Sequence, residues 1–165
     1  MPASGIWNLI LWIHYTALAL WIGGISFLCL VAAPVVHHSM ASKAVAGEIV
    51  GKILKRLNVI ELGSCFVLIS TTLTSFHFIS GREKLLWDLM LGVIFMGILT
   101  VFYAYHPTPR MDSMKEKIPA FDSLSANHAA KIEFNRLHRI YVKLMSLNLV
   151  LGLMVLYGSV VALKG

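Results

Sequence analysis

The sequence predicts an all-α integral membrane protein, one antiparallel four-helix bundle, and three observations carry that expectation. Apolar residues make up 58% of the 165 and charged residues only 13%, with a mean hydropathy of +0.76; a soluble domain carries about 25% charge. The run from Ser4 to Ser42 contains no Asp, Glu, Lys or Arg, and it exceeds the about 20 apolar residues that cross a bilayer. Three more apolar stretches follow, each bounded by charge or proline. One domain over residues 1–165 is the natural count.

The first span is expected over about 6–36, without the basic start of a cleavable signal peptide. The second follows Lys52, Lys55 and Arg56 and covers about 57–80. Gly81 to Lys84 makes a tight polar turn, and the third span covers about 85–105. His106-Pro107-Thr108-Pro109 is expected to stop it, since proline lacks a donor and displaces the residue before it from helical space. A polar connection from Arg110 to about Ala130 leads to a fourth helix that starts near Asn127 and spans about 140–163. Links this short imply an up-down bundle. Of the 14 Lys and Arg residues, all but Arg82, Lys84 and Lys164 fall in the two long connections and at the foot of the fourth helix. The positive-inside rule then places both termini outside, with a bacterial inner membrane as the expected location.

The net charge of +6 belongs to loops and helix ends, where it meets lipid headgroups rather than nucleic acid. Cys29 and Cys65 lie in separate apolar segments and read as unpaired buried thiols. Trp7, Trp12, Trp87, Tyr103, Tyr105 and Tyr141 fall at or near span ends, where aromatic belts form. Nothing resembles a nucleophile with its base or a phosphate-cradling loop, so an enzyme is not expected. The expected surroundings are the lipid bilayer and either other membrane subunits or a second copy of the chain.

Ionisable residues inside a membrane are rare and often functional. At about 1.5 Å per residue, His14 and His77 lie roughly 10 and 13 Å from their span centres toward the same side. His37, His38, His106 and His138 collect at the other side. Two layers of imidazoles are what a bundle holding b-type haem shows, with axial ligands from facing helices. His14 and His77 form the outer candidate pair for haem or a metal ion, and His106 and His138 the inner haem pair. Ala17, Trp21 and Gly24 share the face of His14, and the Gly23-Gly24 step lets a backbone or a flat ligand approach. Ser70 and Thr74 share the face of His77. The plainer reading has His14 hydrogen-bonded to a neighbouring helix and the interfacial histidines simply hydrated. Glu61 is the other costly residue, and a carboxylate in lipid must find a partner or become neutral. Asn148 and Lys143 are its expected partners, in a packing clamp or along a proton or cation path.

The segment His14-x6-Trp21-Ile22-Gly23-Gly24, followed by Ala33-Pro34, resembles the first helix of a group of small four-helix membrane proteins of unknown function. That group is related in pattern to the membrane domain of the copper-resistance D family. Ala46 to Gly51 resembles its first cytoplasmic loop, and Phe134 to His138 with Asn148 resembles its carboxy-terminal signature. The resemblance implies a four-helix membrane fold. The His14 to Trp21 spacing is also similar to the first helix of the HemJ-type protoporphyrinogen oxidases, where the resemblance implies haem at His14. This chain lacks that family's Pro-Arg pair after the glycine and its lysine before the histidine.

Three functional expectations follow. The first is a non-catalytic b-haem-binding or accessory subunit of a membrane redox complex. The second is transport of copper or another small solute, with His14, Glu61 and Asn148 along the path. The third is a structural bundle that packs against partners.

Overall fold

The computed structural model describes residues 3–41, 43–118, 121–125 and 127–163; Lys164, counted above among the charges, lies outside them. Within lipid every backbone N–H and C=O must be satisfied inside its own segment, and helices do this for all four apolar stretches. Helix α1 (Ala3–Phe27) passes without a break into a π turn, Leu28–Ala32, and then α2 (Ala33–Ser39). The Ala33 N–H reaches back to the Leu28 carbonyl. This widened turn lies just ahead of Pro34, which has no N–H to give and whose ring crowds the carbonyl four residues earlier. Met40 ends α2 in extended backbone.

Helix α3 (Lys43–Phe78) has 36 residues, about 54 Å in length, and so outreaches a hydrocarbon core of about 30 Å. Its first turns carry Lys52, Lys55 and Arg56, and the expected long first connection is therefore largely helix. Gly81 takes φ of 80°, a left-handed conformation that favours glycine, and donates its N–H to Glu83 Oε1 at 2.8 Å. The same turn sends Arg82 to the Val161 and Ala162 carbonyls at 3.0 and 3.2 Å, supplying donors to the end of the last helix.

Helix α4 (Glu83–Tyr105) ends where proline was expected to end it, but helix resumes at once as α5 (Pro107–Lys117). The expected polar connection is thus half helical. A proline in the first turn loses nothing, because that N–H has no intrahelical partner, and Thr108 Oγ1 bonds the Tyr103 carbonyl at 2.8 Å. Helix α6 (Ala129–Ala162) is capped by His128, whose ring accepts from the Ala130 N–H at 3.2 Å.

Helices α1, α3, α4 and α6 form a closed ring in that order, α6 returning to pack on α1. Leu18, Trp21, Ile25, Leu68, Leu86, Val93 and Met96 fill its centre without exposure. Leu9, Leu20, Leu30, Phe66, Leu91 and Tyr157 stand exposed on the outside. An apolar exterior around long apolar helices makes this an integral membrane protein.

The crossing of α3 and α4 depends on Gly97. A Cβ there would meet Cys65 Sγ at 2.6 Å and the Cys65 Cβ at 3.8 Å, and a cysteine has a single rotatable bond with which to retreat. Gly97→Ala is expected to cost about 1–3 kcal/mol by overpacking. Adding Cys65→Ala should restore most of the loss. Thermal unfolding of the two single variants and the double variant in detergent measures the coupling; additive losses would show that the helices meet elsewhere.

Candidate functional site in the bundle interior

One face of α3 carries a stripe of polar residues into the core. Asn58, Glu61, Ser64, Thr71, Thr72 and Ser75 are all buried, and steps of three, four or seven residues keep them near one side of the helix. Such groups need partners, and the other helices supply them in two clusters.

The first cluster is centred on Glu61, which has no exposed surface. Its Oε2 accepts from the Tyr103 hydroxyl at 2.5 Å and from Thr100 Oγ1 at 3.2 Å, both on α4. The two hydroxyls lie 2.9 Å apart. From α6, Asn148 Nδ2 donates to Thr100 Oγ1 at 2.9 Å and to the Tyr103 oxygen at 3.0 Å, with the Met96 carbonyl at 3.4 Å. Glu61 Oε1 and Asn148 Oδ1 are buried and have no partner. One turn earlier on α3, Asn58 Oδ1 accepts from the Tyr141 hydroxyl at 3.2 Å, and the Tyr141 ring packs edge-on against Tyr103 with centroids 5.1 Å apart. Asn58 also lines a cavity of about 280 Å³ with Lys55, Thr108 and Asp112, at the α5 end of the bundle.

Of the two expected partners of Glu61, one needs correction. Asn148 is joined to it through Thr100 and Tyr103, whereas Lys143 is exposed. Lys55, the nearest lysine along α3, pairs with Asp112 at 2.6 Å. Tyr103 and Tyr141 are buried rather than set in an aromatic belt, because Glu61 and Asn58 draw their hydroxyls inward.

The second cluster holds His14, which is 1% exposed. Its Nδ1 lies 2.8 Å from Thr71 Oγ1 and its Nε2 3.0 Å from Ser159 Oγ. The Thr71 hydroxyl hydrogen goes to its own helix, to the Val67 carbonyl at 2.9 Å. That leaves Thr71 Oγ1 to accept from Nδ1–H, and Nε2 to accept from Ser159. The cluster links α1, α3 and α6.

His77 does not face His14. It lies six residues beyond Thr71, about 120° around the helix, and is exposed. Ser70 and Thr74, on its face, turn back to the Phe66 and Ser70 carbonyls at 2.8 Å each. His106 and His138 are exposed as well; the first stacks on Phe102 with centroids 5.2 Å apart and the second on Phe134 at 6.5 Å. His14 and His77 thus make no facing axial pair, and both nitrogens of His14 already have hydroxyl partners, so this pair does not fit a bis-imidazole haem. Among the described residues no three His, Cys, Asp or Glu side chains converge for a metal ion. The glycine step splits: a Cβ at Gly24 would meet Leu57 Cδ1 at 2.5 Å, while Gly23 opens outward. Trp21 is fully buried with its Nε1 unpartnered, as is Thr72 Oγ1.

Residues 16–120, well over half the chain, match the protein family described as "Domain of unknown function (DUF4149)". No curated protein and no solved structure matches. The matched segment contains Asn58, Glu61, Thr71, Thr100 and Tyr103, whereas His14, Tyr141, Asn148 and Ser159 lie beyond it.

Proposed function

The chain belongs to the DUF4149 family of unknown function, and we propose that it is a non-catalytic membrane protein that moves a proton by way of Glu61. The observation that supports this reading is a carboxyl group with no exposed surface, held by hydroxyls rather than by a cation. A carboxyl group placed in this way takes up or releases a proton without breaking an ion pair. The α3 stripe continues from it in both directions. Asn58 leads to the cavity at the α5 end, and Thr71 and Ser75 lie past Leu68 beside His14, another titratable group of the interior. By the distribution of Lys and Arg, the α5 end is the cytoplasmic one and both termini are outside a bacterial inner membrane.

Proton movement is measured with the protein reconstituted in vesicles that enclose a pH-sensitive dye, under an imposed potassium diffusion potential. The wild type should change internal pH faster than empty vesicles, and Glu61→Gln should fall to the empty-vesicle rate. Equal rates for wild type and Glu61→Gln would sink the proposal. A specific observation favours a second reading in that event, since the Glu61 cluster joins α3, α4 and α6 at one level. A silent wild type whose Glu61→Gln variant melts earlier would mark a packing clamp.

A further inference from the structure

Glu61 Oε1 and Asn148 Oδ1 are both fully buried, and both lack a partner. Their own groups are nonetheless tied together: Glu61 Oε2 and Asn148 Nδ2 meet on the same two oxygens, those of Tyr103 and Thr100. The carboxyl and the carboxamide thus lie two hydrogen bonds apart, and each keeps one bare acceptor. A buried acceptor left without a donor costs about 1–3 kcal/mol, and here two acceptors on neighbouring groups would carry that cost together.

We infer that a single hydrogen satisfies both: Glu61 carries its proton on Oε1 and shares it with Asn148 Oδ1, directly or through one water. This rests on Glu61 as the proton-bearing group and names the residue that receives its hydrogen bond. A carboxylic acid and a primary amide are complementary, the acid offering one O–H donor and the amide two N–H donors and an acceptor oxygen. The amide N–H groups run through the Tyr103 and Thr100 hydroxyls into Oε2, and the acid O–H closes the ring from Oε1 to Oδ1. The orientation of the amide has independent support. The Met96 carbonyl, which can only accept, lies 3.4 Å from Nδ2. Turning the amide over would set Oδ1 against that carbonyl.

The other titratable side chains packed at this level are Tyr103 on α4 and Tyr141 on α6, with Cys29 of the π turn beside Tyr141. All are neutral acids, and none supplies a positive charge to the carboxyl group. Asn148 is accordingly a positioning residue. It ties the protonation state of α3 to the placement of α6, because loss of the proton sets two lone-pair oxygens against each other.

The test is an infrared spectrum of the full chain in lipid at neutral pH, read at the carbonyl stretch of protonated carboxylic acids. Wild type should show a band that Glu61→Gln removes, which assigns it. Asn148→Leu, which keeps a side chain of similar size but offers no acceptor, should shift that band to higher frequency as its hydrogen bond is lost. Should Asn148→Leu fail to fold, Asn148→Ala is read in the same way. A band unmoved in the Asn148 variant overturns the inference. So does a wild type without the band, since an ionised Glu61 facing a turned amide would then satisfy the cluster. This readout is independent of proton flux: a shifted band with silent vesicles would retain the shared proton and discard the transport reading.

Discussion

Trp21→Ala is expected to destabilise the bundle by about 3–5 kcal/mol, the largest effect of any single truncation in the core. Trp21 has no exposed surface and sits in the middle of the first membrane span. Lipid tails are as apolar as leucine, so burial in this setting gains little from leaving water and rests on close packing instead. Removing an indole from such a site forfeits its contacts on every side. Trp21→Phe should lose much less, because the ring is largely kept and the lost N–H has no partner in the structure. Unfolding free energies from detergent titration separate the two. A cost near zero for Trp21→Ala would mean that Leu18 and Ile25 collapse into the space and that the core is softer than its burial implies.

Tyr103→Phe should follow, at about 1–3 kcal/mol. Single hydrogen bonds between membrane helices average about 0.6 kcal/mol, but this hydroxyl serves Glu61, Thr100 and Asn148 together. Its removal leaves a buried carboxyl oxygen with one donor instead of two. Tyr105→Phe is the matched control, since Tyr105 is 70% exposed and its loss should stay within about 0.5 kcal/mol. Equal melting temperatures for the two variants would count against any organising part for the Glu61 cluster.

The four spans were legible because each rests on local composition and length, and lipid leaves a long apolar segment little choice but helix. The interior placement of His14 was legible too, from the helical spacing that puts Ala17, Trp21 and Gly24 on its face. Partners were not. Depth arithmetic set His14 and His77 at one level, yet facing depends on rotation about each helix, and His77 is turned away from the Thr71 side that meets His14. Tyr103 occupies a span end, where an aromatic belt is the default. Only its contact with Glu61, 42 positions away in sequence, pulls it inside, and no spacing rule within one helix encodes that contact. Asn58 and Tyr141 are 83 positions apart and were hidden for the same reason. Proline at 107 read as a stop because its missing donor is clear from sequence, while the Thr108 bond to the Tyr103 carbonyl that helps restart the helix is not.

The π turn at Leu28–Ala32 has a consequence for the first membrane helix as a whole. It holds one residue more than a regular helix would, so it acts as a phase shift of about 100° between the segment bearing His14 and Trp21 and the segment bearing His37 and His38. The segment of α1 before the turn can therefore keep one azimuth while α2 takes another, without a break in the hydrogen-bonded rod. Excising a single residue there would return the rod to a plain α-helix and leave both the His14 face and the two terminal histidines pointing as they do now. Tightening the turn to α-helix with its residue count unchanged would instead swing the two terminal histidines by about 100°.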